Sequence, residues 1–371
     1  MTLPSVRTPV VQFVVLAIAL GAIAMAAPDP TYATDRDTYI ATGQQVIVPD
    51  CSDIHCFRVL VTWVLESLPG PSLLKWKTYA VLANAGAAVA LGRLCLMLGL
   101  SIRASNLATW LAAFGFGSLY TLYDVYTSDP LMFLLGPLLT STLLAGHRIR
   151  AGLIASIGIL AKEFAAAPLW IMTIWAALQR RWAQAFRLLL SAMSATLVWL
   201  ALQVTLIVLF NYTYGENASA DLLGGGYLAR WLSLVQGRVA LAVMFVEFGA
   251  LYLLFPVGLI VANRDLRLLA LAALPEALVL LYVQQPDRAL WNFHFIVIPI
   301  AVLVLERLPE RAGLLFAACF AFANLRIGAQ LTFVPPARIP LVASLLIAGA
   351  AIVATFMKRS VPPTLAAEAG M

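Results

Sequence analysis

The sequence predicts an all-α, polytopic transmembrane helical bundle of about 10–11 spans forming a single membrane domain over residues 1–371, and three observations lead there. Hydrophobic residues make up 62% of the 371 and charged residues only 11%, a balance that leaves no soluble domain over. Apolar stretches recur at residues 8–27, 79–100, 107–123, 131–146, 151–178, 188–210, 238–262, 268–283, 291–305, 312–332 and 339–357. Between them Lys and Arg gather in short turns, as orientation signals of membrane helices do. The formal net charge of +6 is thereby explained by topology, and no nucleic-acid site is read from it.

The first stretch, Thr8 to Ala27, reads as an uncleaved anchor. A signal peptide is the alternative, because Ala24-Met25-Ala26 resembles a small-residue cleavage site. With the N-terminus inside, Arg7, Arg103, the turn from His147 to Arg150, Arg180, Arg181, Arg187, Arg264, Arg267, Arg307, Arg311, Lys358 and Arg359 all fall on the cytoplasmic side.

That assignment holds only if residues 151–178 go in and come back. The run has arginines at both ends, and Lys162-Glu163 stands in its middle. Each arm is short for a span, rising roughly 16 and 22 Å as helices against a hydrocarbon core of about 30 Å. A reentrant hairpin is therefore expected, its Lys-Glu turn below the outer surface in a cavity and not in lipid. An ionisable pair at that depth marks a functional site, unless the two charges merely neutralise each other at a helix break.

Residues 28–78 form the first outer loop. Its apolar piece from Phe57 to Leu68 is too short to span and is expected to lie at the interface, held by Trp63 and Trp76. The cluster Asp50, Cys51, Asp53, His55, Cys56 reads first as a disulfide in an oxidising periplasm, with a metal site or free thiols as alternatives. Neither a resident metal nor a cofactor is expected. A second outer loop, residues 211–237, contains Gly224-Gly225-Gly226 and then Tyr227 to Trp231, and reads as a mobile flap or another interfacial helix.

The outer face so defined collects Asp35, Asp37, Asp124, Asp129, Lys162, Glu163, Asp287, Arg288 and His294. Carboxylates opposite a lysine at a broken helix supply a general base and an anion clamp in one cavity. Each has a plainer reading as well. Asp37 suits a helix N-cap, and Asp129 before Pro130 suits the cap of the next span. Arg288 suits a snorkelling arginine, and His294 a satisfied interior histidine. Arg326, deep in the tenth stretch, must face protein or water.

The order of these features resembles the polytopic GT-C glycosyltransferases, particularly bacterial, polyprenyl-phosphate-sugar-dependent GT87-like mannosyltransferases. The resemblance rests on Thr34-Asp35-Arg36-Asp37-Thr38-Tyr39-Ile40-Ala41, Phe57-Arg58-Val59-Leu60, Thr127-Ser128-Asp129-Pro130, Ala161-Lys162-Glu163, and Asp287-Arg288 leading into a span with Pro299. It covers the whole chain in layout through short, degenerate motifs. The chain departs from it in showing no large C-terminal soluble stretch, which leaves acceptor recognition to membrane cavities and loops.

The resemblance implies an inverting displacement, in which an acceptor hydroxyl attacks the anomeric carbon and the lipid phosphate departs. Asp35 or Asp37 would be the base and Asp129 a second acid. Lys162, Arg288 and Arg58 would hold phosphate, beside Glu163, Asp287 and His294, and backbone N–H groups of the hairpin's second arm would add to the anion site. The implied partners are a polyprenyl-phosphate sugar donor, a lipid or glycan acceptor and membrane lipids, at the periplasmic face of a bacterial inner membrane. A lipid or sugar transporter is the alternative, although the hairpin has no counterpart in the second half of the chain.

Overall fold

The computed structural model describes residues 7–27, 33–214, 241, 245–283, 290–325 and 338–360. All regular structure among them is helical. The α-helices are α1 (Arg7–Ala26), α2 (Ala33–Gln45), α3 (Val59–Ser67), α4 (Ser72–Met97), α5 (Ile102–Ala113), α6 (Phe116–Tyr123), α7 (Asp129–Leu144), α8 (Arg148–Gly158), α9 (Ala167–Leu178) and α10 (Trp182–Phe210). They continue with α11 (Leu251–Val261), α12 (Arg264–Val283), α13 (His294–Leu305), α14 (Glu310–Asn324) and α15 (Arg338–Ser360).

Within α1, α4, α10 and α15 lie stretches long and apolar enough to cross a membrane. α10 shows what solvent they expect: Leu190, Leu197, Leu200, Val204, Val208 and Leu209 point outward, an apolar surface too large for water and natural in hydrocarbon. α4 has the opposite character. Ala80, Ala83, Ala85, Ala87, Ala88 and Gly92 let it sit buried between α1, α5 and α7, as small residues do where membrane helices approach closely.

The expected span over residues 107–123 is broken at Phe114-Gly115, and a residue far off in sequence packs against the break. The indole of Trp291 fills the space beside Gly115 and Gly117, where an added Cβ would come within 2.0 and 2.1 Å of ring carbons. A continuous helix with side chains would expel that ring. Ser118 Oγ donates to Ala112 O across the break at 2.7 Å. A second break falls at Gly249, whose φ of +51° a side chain would resist; α11 therefore starts only at Leu251.

One end of the bundle joins turns to which the charge pattern assigned a common side. Arg103 donates to Leu308 O at 2.8 Å, Gln179 to Asp265 Oδ1 at 2.9 Å and Gln12 to Asn106 Oδ1 at 2.9 Å. Gly152 near the start of α8 faces Ser191 near the start of α10. At the other end, Leu60 N donates to Leu160 O at 3.1 Å and Thr213 N to Cys51 O at 2.9 Å, so the first outer loop, the break after α8 and the end of α10 meet.

Candidate functional site

α2 lies in the stretch expected as the first outer loop. Asp35 lies in its first turn, where a carboxylate is favoured by the helix dipole. Tyr39 follows four residues later and so shares its face. Asp37 lies elsewhere on the helix: its side chain is 67% exposed and pairs with the adjacent Arg36 at 3.0 Å. Asp35 is less exposed, at 35%, and its Oδ2 lies 3.6 Å from His55 Nε2.

Against that face sits a 3₁₀ turn, Ile54–Phe57, closed by the Cys51–Cys56 disulfide with a Cα–Cα distance of 6.5 Å. Of the alternatives for the Cys-His-Asp cluster, the structure has the disulfide; among the described residues no group of His, Cys, Asp and Glu could hold a metal ion. Asp53 caps the turn, accepting from His55 N at 2.9 Å, His55 Nδ1 at 2.7 Å and Thr38 Oγ1 at 3.1 Å. Burial pushes the Asp53 carboxyl up, but these hydrogen bonds, together with the electrostatic pull of His55, outweigh it and hold it at about 2. His55 Nε2 faces Asp35 Oδ2 at 3.6 Å.

Arg58 leaves the turn and is buried. Its Nη2 lies 3.6 Å from Glu163 Oε1. Burial opposes its charge, yet Glu163, Tyr39 and Asp129 more than compensate and raise it further, so the guanidinium stays charged. Burial likewise pushes the Tyr39 hydroxyl up to about 12, against a smaller pull from Arg58. The phenol is thus a neutral hydroxyl beside a fixed cation. Tyr39 Oη and Arg58 Nε are both buried without a hydrogen-bond partner.

Lys162 and Glu163 do not neutralise each other by direct pairing. Lys162 is extended (φ −169°, ψ 142°), a conformation that sends successive side chains to opposite sides. Lys162 Nζ reaches Asp129 Oδ1 at 2.5 Å, while Glu163 turns to Arg58. The Asp129 carboxylate is buried in this ion pair, and Ser128 stands at the N-cap position of α7. Tyr79 fastens that turn: its hydroxyl donates to Ser128 O at 3.2 Å and accepts from Leu131 N at 3.0 Å.

Two residues, Trp76 and His294, lie elsewhere than expected. Trp76 is fully buried and not an interfacial anchor, packed at tilted and edge-on angles among Tyr39, Tyr79 and Tyr126, with its Nε1 donating to Glu66 Oε1 at 2.9 Å. Trp63 does stay near the surface, donating to Val46 O at 2.7 Å. The backbone after Lys162 starts with a 3₁₀ helix, Glu163–Ala166, for which Lys162 is the N-cap, and α9 follows at Ala167 with Pro168 in its first turn. His294 is not gathered with the charged group: its Nδ1 meets Trp291 O at 2.9 Å, and Trp291, Phe133 and Phe295 surround its ring. It is a satisfied interior histidine.

Asp124 takes the Tyr120 hydroxyl at 3.2 Å and lies outside these pairs. Asp287, Arg288, Arg326 and the stretch 215–237 of the second outer loop, with its glycine run, lie outside the described residues. The part of that loop that is described docks on the first: Tyr214 stacks on Phe57 at 4.6 Å, and Asn211 Nδ2 donates to Asp50 Oδ1 at 2.7 Å. Residue types alone did not single out Tyr79, or His55 as a partner of Asp35. The fourth-residue spacing from Asp35 to Tyr39 was the one local signal available.

No protein-family model matches the chain, and no curated protein matches it. Among solved structures it is similar to the crystal structure of the Archaeoglobus fulgidus oligosaccharyltransferase in the apo form, with a TM-score of 0.50 and 13% identity, covering 93% of this chain and 55% of that one. The same enzyme tethered with an acceptor peptide containing the NVT sequon gives a TM-score of 0.43 and 13% identity, over 92% of this chain and 55% of that one. The chain spans about half the length of these structures, 55% in each. The apo likeness bears out the expected fold, an all-helical bundle with a GT-C-like arrangement.

Proposed function

We propose that the chain is a membrane glycosyltransferase that moves a sugar from a polyprenyl-phosphate donor to a lipid- or glycan-type acceptor at the periplasmic face of a bacterial inner membrane. The observation that carries this is the convergence of Asp35, Tyr39, Arg58, Asp129, Lys162 and Glu163 from three separate parts of the chain onto one end of the bundle. A GT-C-type fold supports it.

In this reading the acceptor hydroxyl oxygen forms a bond to the anomeric carbon as the bond from that carbon to the phosphate oxygen breaks. Asp35 takes the hydroxyl proton. The departing phosphate keeps the electron pair, and its charge is met by Arg58, whose Glu163 contact uses only part of a five-donor fork. The Tyr39 hydroxyl can donate beside it. Lys162 adds the second cation, and Asp129 acts as its counter-ion and orienting partner more than as a second acid. Donors fixed before the reaction stabilise leaving-group charge without reorganising. Asp287 and Arg288, which lie outside the described residues, are assigned to the donor site by the family resemblance alone.

Residues 151–178 are proposed as a reentrant hairpin that lifts Lys162 to this end while returning the chain to the cytoplasm. Cysteine labelling in intact cells, with Cys95 and Cys319 replaced by alanine and the disulfide kept, reads that directly. His147→Cys and Arg181→Cys should both label only from the cytoplasm, and the exposed Asp37→Cys from outside. Labelling of positions 147 and 181 from opposite sides would turn the hairpin into a span. For the activity itself, a deletion strain should accumulate a polyprenyl-phosphate sugar and lack one glycosylated product by mass spectrometry of its lipids. An unchanged lipid profile would count against transfer.

A further inference from the structure

The contact between Asp35 and the disulfide-closed turn has a consequence for where the reaction's proton goes. Asp53, held at about 2, is an ionised carboxylate and can only accept hydrogen bonds. Its 2.7 Å contact with His55 Nδ1 therefore requires the proton of a neutral imidazole to sit on Nδ1. In that neutral form Nε2 is the lone pair, and it faces Asp35 Oδ2 at 3.6 Å. A lone pair facing a carboxylate gains nothing until the carboxylate acquires a proton. That is the event assigned to Asp35 during transfer.

We propose that His55 is the proton outlet of Asp35, an inference that rests on Asp35 being the base of the transfer reaction. Once the acceptor O–H bond has broken and an Asp35 Oδ–H bond has formed, the Asp35 Oδ–H bond breaks and an Nε2–H bond forms on His55. Asp35 returns to the carboxylate, and the resulting imidazolium lies between the Asp35 and Asp53 carboxylates, which stabilise it. His55 then releases the proton to water, its side chain being 19% exposed. The 3.6 Å separation must shorten to hydrogen-bond length for the transfer, a closure that substrate binding commonly brings about.

The surroundings fit a positioning residue. The Cys51–Cys56 disulfide closes the turn around Asp53 and His55. Thr38 on α2 ties Asp53 to the helix that carries Asp35. The Tyr39 ring stands edge-on to the imidazole at 5.2 Å and is itself backed by Trp76 at 5.4 Å. His55 is thus located from both sides, by the turn and by α2.

The test is sugar transfer by the full chain in reconstituted membranes, with His55→Ala assayed alone and with added imidazole. His55→Ala should lower kcat on the order of tenfold or more, within the range a lost proton-transfer partner takes, with KM for the donor unchanged. Added imidazole should restore most of it, and substituted imidazoles should rescue in order of their basicity. A purely structural histidine would show no such order. Asp53→Asn, which removes the ionised acceptor but leaves His55, should also lower kcat. Wild-type kcat in His55→Ala, or a loss that no imidazole restores in protein whose Cys51–Cys56 bond is intact by mass, would overturn the proposal. If His55→Ala does not accumulate, a wild-type rate in Asp53→Asn overturns it instead. A dead Asp35→Asn beside a fully active His55→Ala removes the outlet and leaves the base in place, whereas a fully active Asp35→Asn removes both.

Discussion

Asp35→Asn is expected to lower the rate of sugar transfer by about 10²- to 10⁴-fold, the usual contribution of a general base, with little change in stability. Asparagine keeps the size and the first-turn position but cannot take a proton. Asp37→Asn is expected to stay within about twofold of wild type, because a solvated surface acid paired only with its neighbour contributes little. The measurement is transfer of labelled sugar at matched expression. Full activity in Asp35→Asn with a dead Asp37→Asn would move the role to the exposed face of α2 and contradict the geometry, and wild-type rates in both would remove an acid base from this loop altogether.

Removing one member of the Lys162–Asp129 pair should have the largest effect on stability. Both side chains are almost wholly buried, and a partner left charged and alone in such a place costs about 3–5 kcal/mol. Lys162→Met and Asp129→Leu should each lower the melting temperature in detergent sharply. The double variant should recover most of the loss, because an apolar pair of similar volume carries no uncompensated charge. Transfer should remain lost in all three. Additive losses in the double variant would mean that the two groups do not depend on each other. Recovery of activity with stability would make the pair structural only.

Much of the bundle was legible because its signals are local. Runs of apolar residues, arginines at their ends and a Lys-Glu pair in an overlong run each speak through neighbours in sequence. What stayed hidden depends on distant partners. Gly115 and Gly117 are required because the Trp291 ring occupies the space beside them, and a stretch that is apolar throughout cannot reveal a ring arriving from a distant part of the chain. Trp76 reads as a belt residue by type, yet Glu66 and three tyrosines enclose it. Ala33–Gln45 has almost no apolar periodicity, so a helix there, and with it the separation of Asp35 from Asp37, was visible only as a possible cap. The candidate site followed the same division. Asp129, Lys162 and Glu163 were marked by local context and Arg58 by the family resemblance, but the pairing of Lys162 with Asp129 and of Glu163 with Arg58 comes from how α7 and the first outer loop close on the break after α8. His294 was marked by its place near an outer mouth, and packing put it among aromatic rings.

The most direct test of the proposed activity is reconstitution of the purified chain into vesicles with a polyprenyl-phosphate donor carrying a labelled sugar and a mixture of lipid and glycan acceptors extracted from the source membrane. The account predicts that label moves to an acceptor with inversion at the anomeric carbon, while polyprenyl phosphate is released in equal amount. No transfer with any polyprenyl-phosphate donor, together with movement of the intact labelled lipid or sugar across the vesicle membrane, would contradict it and identify the chain as a transporter.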